Sequence, residues 1–343
     1  MTLGVIASSY DPTSIALEIV ARRSAISERL AEDRQFVAWH AGQPVVRAIQ
    51  AVHFLDEPVS GATLKARLAD PATVALLTAV REGQGAVAAG LARWLRAANL
   101  EQRTDGLLLV PCENRVAPVL RVLAEQPLRR PLWWSPTLVD RLCTERGINA
   151  DGVYVVTEAY MEWCIQLPAN SGGAAFQSHD AATVISALGA RPVSAVEPLA
   201  ARKLVLFNGT HAGVAAKCLR EWGDEAADLR EYVATPAGSA FLSGLAAELA
   251  VAVEVAYGLP ADEVRRYARD YVHRIRRQPD TVGRVLGRLV QGEFAQFEAD
   301  IEAKLGEPLT ILENEVGRSQ FIREAQAHAT ELIRRYQARH RQS

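Results

Sequence analysis

The alternation of short aliphatic runs with helical stretches in the first half of the chain constrains its fold more than any other feature. Such alternation is typical of a mostly parallel sheet that is covered by helices on both faces. From about residue 195 the pattern changes to long segments rich in Ala, Leu and Arg with helical spacing. The sequence therefore predicts an α/β protein, in which a parallel-sheet domain precedes an all-helical C-terminal domain.

The length of the chain and one loop-like segment predict two domains. At 343 residues the chain exceeds the size at which a single hydrophobic core usually stops growing. Residues 167–183 are rich in Gly, Ser, Asn and Ala, which is typical of a loop. We place the boundary near residue 190 and predict domains over 1–190 and 191–343.

Charge and hydropathy exclude several classes of partner. The formal net charge is only -2, so overall electrostatics gives no reason to expect nucleic acid or a membrane surface as a partner. No run of eighteen or more apolar residues occurs, and the first residues lack the pattern of a secretory leader. We expect a cytoplasmic protein that binds a small molecule.

The cysteines and histidines give no indication of a metal site. Cys112, Cys143, Cys164 and Cys218 lie far apart without a CxxC pair, which argues against a disulfide framework and a structural zinc site. The seven histidines show no ligand spacing such as HExxH. We expect reduced, mostly buried thiols and no metal.

The segment RKLVLFNGTH carries three polar residues within an apolar stretch: Lys203, Asn208 and His211. On an ideal helix Asn208 lies at roughly 140° and His211 at roughly 80° from Lys203, so all three project into one broad sector. One side of a helix could then line a pocket, with Lys203 as a general base among apolar neighbours. The structural alternative is a lysine that reaches solvent, an Asn-Gly helix end and a hydrogen-bonded core histidine.

The order Lys203-x4-Asn208-x2-His211 resembles the signature of the polyol-specific long-chain dehydrogenases, the family of mannitol dehydrogenase and mannitol-1-phosphate 5-dehydrogenase. The resemblance implies that Lys203 is the general acid/base, and that Asn208 and His211 hold the substrate and its developing alkoxide. It also implies a polyol or sugar-like substrate, with or without a phosphate group, an NAD or NADP cofactor, and a monomer or homodimer.

Three upstream segments resemble the same family in the same order: PCENRVAPVL, SPTLVDRLCT and VYVVTEAYMEW. In the first, Asn114 matches the second amide that would bind the oxyanion, although an asparagine after a strand can also bond the backbone of a turn. The other matched positions are Asp140, Arg141, Glu158 and Trp163. For Asp140 and Arg141 we favour a structural ion pair, and for Trp163 core packing, over a part in the reaction.

The chain departs from the family where a dinucleotide-binding domain should begin. No G-x-G-x-x-G run is present, and Gly4 stands before the strand-like VIAS. Residues 17–42 align with the family's second strand and second helix, which leaves 16 residues before them. A parallel crossover needs about a dozen residues beyond the strand, so either the first helix is missing or the first strand runs otherwise. We therefore predict a degenerate Rossmann-like domain.

The expected cofactor contacts are Thr78, Arg22 and Arg23. The two arginines end the second strand, where an acidic residue normally binds the adenosine ribose, and they could accept a 2′-phosphate of NADP. They could equally be a solvated strand end. Arg115, Arg202 and the arginines of residues 273–277 could serve a substrate phosphate, or could be surface charge.

Three functions remain open from the sequence. The chain could be an NAD(P)-dependent polyol or sugar dehydrogenase with an abnormal phosphate site, acting in a cleft between the two domains. It could be a non-redox enzyme in which Lys203 and the amides catalyse enolisation, epimerisation or elimination on a hydroxy-carbonyl compound. It could also be a binding protein that has lost NAD(P), or a chain that begins too far downstream.

Overall fold

The computed structural model confirms the α/β class with a helical C-terminal region. It divides into two compact units, Met1–Val196 and Glu197–Ser343, each of which is considered by itself. The structure describes residues 2–11, 14–21, 23–40, 42–54, 62–63, 66–67, 69–70, 72–78, 107–112, 132–141, 143–168, 180–290 and 294–340.

Within its described residues, the first unit contains strands that form three sheets, together with the helices α1 and α2. The strands described are β1 (Thr2–Asp11), β2 (Ser14–Ala21), β3 (Gln35–His40), β4 (Gln43–Ala48), β5 (Ala51–Phe54), β6 (Thr73–Thr78), β7 (Leu107–Pro111), β8 (Leu132–Trp134), β9 (Thr137–Asp140), β10 (Cys143–Asn149), β11 (Gly152–Thr157), β12 (Glu162–Gln166) and β13 (Arg191–Val193). The helices are α1 (Ala25–Asp33) and α2 (Ala181–Ala187).

The largest sheet has six strands in the order β5-β2-β1-β6-β7-β8. Strands β2 and β5 pair in parallel, as do β6 with β7 and β7 with β8. The central strand β1 is antiparallel to both of its neighbours, β2 and β6. This is the strand order 3-2-1-4-5-6 of a dinucleotide-binding sheet, with its first strand reversed.

The reversal follows from the short connection between β1 and β2. Asp11 pairs with Ser14, so only residues 12 and 13 separate the two strands. A two-residue connection suits an antiparallel hairpin, whereas parallel neighbours need a crossover of about a dozen residues. Both possibilities that the sequence left open therefore hold: two residues leave no room for a helix between β1 and β2, and β1 runs antiparallel to its neighbours.

Apolar side chains of α2 cover the buried strands β6 and β7. The cluster joins these elements to β12, and its fully buried members include Val74, Leu108, Val110, Ile165 and Ile185. Every residue of β6 and β7 is buried, as expected for parallel strands inside an α/β sheet. This packing fixes the carboxyl ends of both strands at one edge.

Helix α1 begins and packs as its sequence suggests. Ser24 and Ser27 form a reciprocal capping box at its N-terminus, which satisfies two backbone donors. Its Leu30 is buried with Ile19 of β2 and Val153 of β11. The two smaller sheets have the orders β10-β11-β3-β4 and β13-β12-β9.

A buried charged cluster joins β2 and β5. The Glu18 side chain is 0% exposed, and its Oε2 lies 2.6 Å from His53 Nε2. Its other oxygen, Oε1, lies 3.1 Å from Arg67 Nε. A buried carboxylate is tolerated when it is paired and hydrogen-bonded in this way.

The second unit is helical. Its elements are α3 (Glu197–Arg202), a π-helix (Lys203–Gly209), α4 (Thr210–Trp222), α5 (Leu229–Ala234), α6 (Pro236–Tyr257), α7 (Ala261–Arg277), α8 (Val282–Val290), α9 (Phe294–Ile301), a second π-helix (Glu302–Gly306), α10 (Glu307–Val316) and α11 (Phe321–His340).

Helix α6 forms the core of this unit. Thr235 caps its N-terminus by accepting a hydrogen bond from the Gly238 N–H, and Gly258 ends it at a φ of 60°. By length and composition alone α6 is apolar enough to cross a membrane. Its buried residues, Leu242 and Leu249 among them, pack instead inside the unit, as in the core helix of a globular protein.

Candidate functional site

Lys203, Asn208 and His211 lie on one continuous helix that contains a π-helical turn. Residues Lys203–Gly209 form the turn, which joins α3 to α4 without a break in the helix. In a π-helix the backbone bonds run from residue i to i+5. Lys203 and Asn208, five residues apart, therefore lie closer to the same face than the ideal α-helical spacing predicts.

The Asn-Gly pair does not end the helix. Gly209 has helical backbone angles, with φ -65° and ψ -49°, and the helix continues to Trp222 before Gly223 terminates it at a φ of 70°. The structural alternative of an Asn-Gly helix end is therefore wrong. Single π-turns inside α-helices are rare and occur frequently at functional sites. The turn therefore supports Lys203–Gly209 as a candidate functional segment.

Close packing explains why a glycine follows Asn208. A Cβ at Gly209 would lie 2.6 Å from the backbone carbonyl oxygen of Lys304, which belongs to the second π-helix. The two π-helical segments thus meet backbone to backbone at this point. Lys203 and Asn208 are half-buried beside this contact, so each keeps access to solvent or to a ligand.

His211 is buried against a charged pair from another part of the unit. The imidazole is 5% exposed, and its Nε2 lies 3.5 Å from Oδ2 of Asp280, which is equally buried. Arg284 completes the group, with its Nε 2.7 Å from Asp280 Oδ1. In this respect His211 fits the reading of a core histidine, although a histidine held by a carboxylate is also the usual form of an oriented catalytic imidazole.

Aromatic rings of α7 and the π-turn enclose His211. The Phe207 ring meets the His211 ring edge-on at 5.6 Å and the Tyr271 ring at 5.0 Å between centroids. The guanidinium of Arg274 lies 4.7 Å from the Phe207 ring centroid, a cation–π distance. These contacts fix Phe207 and restrict the orientation of the imidazole.

Arg202 is held inside the unit. It is 2% exposed, its Nη1 donates to Glu263 Oε1 at 2.7 Å, and its guanidinium stacks 4.2 Å from the Tyr267 ring. A buried arginine with these contacts positions α7 against the start of the π-turn. The reading of Arg202 as surface charge is therefore wrong.

Of the matched positions in the first unit, Asp140 and Glu158 are buried, whereas Arg141 and Trp163 are half-buried. Asp140 and Glu158 are 1% and 2% exposed, and the Arg141 Nη2 lies 2.6 Å from His40 Nδ1. Burial lowers the pKa of the Arg141 guanidinium, against the opposing effect of Glu158. The Trp163 N–H donates to the Thr137 hydroxyl at 3.2 Å, which accords with the core packing that we favoured.

Asn114, the second amide proposed for the oxyanion, and Arg22 both lie outside the described residues. Thr78 ends β6 with its side chain buried, and its carbonyl accepts a hydrogen bond from the Cys112 N–H at 2.8 Å. Arg23 is exposed beyond the end of β2. Its guanidinium lies 4.5 Å from the Phe54 ring centroid and 3.5 Å from a Glu28 carboxylate oxygen.

The described residues do not fit the usual pyrophosphate site of NAD or NADP. That site needs a first parallel strand, a glycine-rich turn and the N-terminus of the following helix, whose N–H groups receive the phosphates. Here β1 is antiparallel, and residues 12 and 13 alone separate it from β2. Arg23 still places a cation at the carboxyl end of β2, where the ribose or its 2′-phosphate would lie.

No group of three or more His, Cys, Asp or Glu side chains that could hold a metal ion occurs within the described part of the chain.

The fold is similar to those of several solved oxidoreductases. The chain matches a D-sorbitol dehydrogenase with a TM-score of 0.59, at 11% identity over 85% of this chain and 74% of that one. It matches the Pseudomonas fluorescens mannitol 2-dehydrogenase, solved with NAD and D-mannitol, with a TM-score of 0.57, at 14% identity over 90% and 76%. A PanE/ApbA family ketopantoate reductase from Ralstonia eutropha JMP134 gives a TM-score of 0.50, at 14% identity over 92% and 89%.

No protein-family model matches the sequence, and no curated protein matches it. At these identities the solved structures establish the fold alone. That fold is shared by polyol dehydrogenases and ketopantoate reductases, so it does not by itself select a substrate.

The sequence did not single out Asp280, Arg284 or Tyr271 as parts of the site. One signal was available: Asp280 and Arg284 are four residues apart, the spacing of an ion pair on a helix. Nothing local connects that pair with His211, which lies 69 residues earlier in the numbering. Only the packing of the helical unit brings them together.

Proposed function

We propose that the chain is an oxidoreductase of the mannitol dehydrogenase type that acts on a secondary alcohol of a polyol, sugar or sugar phosphate. The observation that supports the proposal is the π-turn Lys203–Gly209, which carries Lys203 and Asn208 and continues into the helix that bears the buried His211. The similarity in fold to sorbitol and mannitol dehydrogenases supports it.

Each residue has a distinct part in the proposed proton transfer. The amine of Lys203 takes the proton of the substrate hydroxyl, as a positioned general base does. The side-chain amide of Asn208 donates to the alkoxide oxygen that develops. His211 orients the substrate. NAD or NADP is the expected cofactor, and because the described residues lack the usual pyrophosphate site we derive no step through it.

The direct test is a titration of NADH and NADPH followed by nicotinamide fluorescence, together with oxidation assays on a panel of polyols and sugar phosphates. Saturable binding at micromolar concentration with alcohol-dependent reduction of NAD or NADP is the expected result. No binding up to millimolar concentration would contradict the oxidoreductase.

The reversal of β1 favours a second candidate, a non-redox enzyme that uses the same lysine. In this reaction Lys203 removes a proton from the carbon next to a carbonyl group, the amides hold the enolate oxygen, and the lysine returns the proton. Incubation of hydroxy-ketones in D₂O separates the two candidates. Deuterium incorporation at carbon without any nicotinamide supports the second, and its absence excludes it.

A further inference from the structure

We infer that Asp280 is a positioning residue of the candidate site: its carboxylate fixes the ring orientation and tautomer of His211. The inference rests on the proposed function for the role of His211, but the contact itself can be measured without any substrate.

The geometry of His211 commits one ring nitrogen. Its Nε2 lies 3.5 Å from Asp280 Oδ2, and both residues are 5% exposed. A buried carboxylate at this position favours a proton on Nε2, because it accepts and cannot donate. The distance is long for a hydrogen bond, as catalytic contacts often are before a ligand binds.

The charge of Asp280 is maintained by a second contact. Arg284 places Nε 2.7 Å from Oδ1 and Nη2 3.4 Å from Oδ2. The guanidinium favours the ionised carboxylate. Oδ2 therefore faces the histidine and also accepts a hydrogen bond from Arg284 Nη2, while Oδ1 forms the close ion pair with Arg284 Nε.

The backbone of Asp280 is anchored on both sides. Its carbonyl accepts a hydrogen bond from the Leu229 N–H at 2.9 Å. Its own N–H donates to the Asp228 carboxylate, whose pKa is lowered by this bond and by those from Arg230 against the opposing effect of burial. A residue whose backbone is held on both sides presents its side chain from a fixed position. Asp280 is therefore suited to orient a neighbour.

The experiment is ¹⁵N NMR of histidine-labelled full-length chain, with the His211 signals assigned from their loss in His211→Gln. In the unaltered protein the neutral ring is expected to carry its proton on Nε2. Asp280→Asn should lose at least about half of that tautomer, because a side-chain amide can donate as well as accept. Asp270→Asn, an exposed residue of α7, is the matched control and should change nothing.

Two results would overturn the inference. One is a neutral ring with its proton on Nδ1 in the unaltered protein, a measurement that needs no variant to fold. The other is an Asp280→Asn spectrum of His211 that is identical to that of the control.

The activity assay separates this inference from the proposed function. If an activity is found, Asp280→Asn should lower kcat at least tenfold and Asp270→Asn should not. If the tautomer responds but Lys203→Met leaves activity intact, the proposed function fails and the Asp280–His211 contact stands.

Discussion

The two units of this chain place their candidate residues in different ways. The helical unit carries Lys203, Asn208 and His211 on one uninterrupted helix with buried support. The α/β unit keeps the strand order of a dinucleotide-binding sheet and reverses the strand that should lead to the phosphate-binding helix. Residues that lie within one helix can retain their arrangement while a site assembled by chain topology is lost.

The largest expected effect tests whether the helical unit is catalytic. Lys203→Met removes the proposed base while keeping the length of the side chain, and should lower kcat by about 10²- to 10⁴-fold. The measurement is steady-state turnover in whichever assay, alcohol oxidation or deuterium exchange, shows activity.

Lys217→Met on the same helix is the control. Burial alone would lower the pKa of Lys217, but hydrogen bonds to Glu221 and Glu324 raise it above the ordinary value, so this lysine is charged and structural. The Lys217→Met variant should therefore lose less than about tenfold in kcat. Equal losses in the two variants would show that Lys203 has no special part.

The second prediction concerns the buried charges of the α/β unit. Glu18→Ala leaves the buried His53 and the partly exposed Arg67 without their carboxylate partner, which should destabilise the unit by about 1 to 3 kcal/mol. Urea unfolding followed by tryptophan fluorescence measures this, because Trp222 is the one tryptophan of the six that lies in the helical unit.

Glu28→Ala is the matched change at an exposed ion pair. Glu28 is 51% exposed and lies 3.5 Å from Arg23, so the loss should stay below about 1 kcal/mol. Similar midpoints for the two variants would mean that the buried cluster contributes little, and that the α/β unit depends on its apolar core alone.

The elements were predictable from the sequence where local pattern decides them. The strand runs, the capped helix α1 and the long helix that Gly258 ends all follow from residue types and spacing. The direction of β1 was left open, because neither the hairpin with β2 nor the pairing with the distant β6 is evident from the residue pattern. The absence of a G-x-G-x-x-G run left two possibilities, a missing first helix or a first strand that runs otherwise, and did not decide between them.

The candidate site was predictable only in part. The spacing of Lys203, Asn208 and His211 indicated a shared face, but an ideal helix gave the wrong geometry because π-turns have no clear sequence signal. Asp280 reaches His211 through tertiary packing, which periodicity does not report. The functions of Lys203, Asn208 and His211 stay predictions.

The third prediction tests the contact between the two π-helical segments. Gly209→Ala places a methyl group 2.6 Å from the Lys304 carbonyl oxygen, and such overpacking costs about 1 to 3 kcal/mol. Alanine in a helix recovers about 0.5 to 1 kcal/mol, so a net loss of about 1 to 2 kcal/mol is expected. Thermal unfolding followed by circular dichroism measures it.

Gly283→Ala offers the same change at a looser position, where the new methyl group would lie 3.0 Å from the Glu225 carbonyl oxygen. Its effect should remain within about 1 kcal/mol. A Gly209→Ala protein as stable as this control would show that the two π-helical segments can separate at little cost.

The smallest effect on stability is expected for substitutions of the cysteines. Their thiols should differ in reactivity between the two units. Cys143 in the α/β unit is exposed, whereas Cys218 in the helical unit is buried. Burial, with smaller effects from Glu221 and Asp224, raises the pKa of the Cys218 thiol to about 12. At pH 8 an aromatic disulfide reagent should therefore label Cys143 rapidly and Cys218 only after unfolding.

The same pKa difference fixes the sign of a pH effect. Because the folded-state pKa of Cys218 lies above the ordinary value of 9.0, its contribution to stability is complete below pH 9. That contribution is lost as pH rises towards about 12, since the unfolded chain releases the proton first.

Cys143→Ser should remove the rapid labelling phase and change the free energy of unfolding by less than about 0.5 kcal/mol. Cys218→Ser should keep the rapid labelling phase and reduce the loss of stability at alkaline pH. Rapid labelling of Cys218 in the folded protein would contradict its burial, because it would show that α4 opens to solvent.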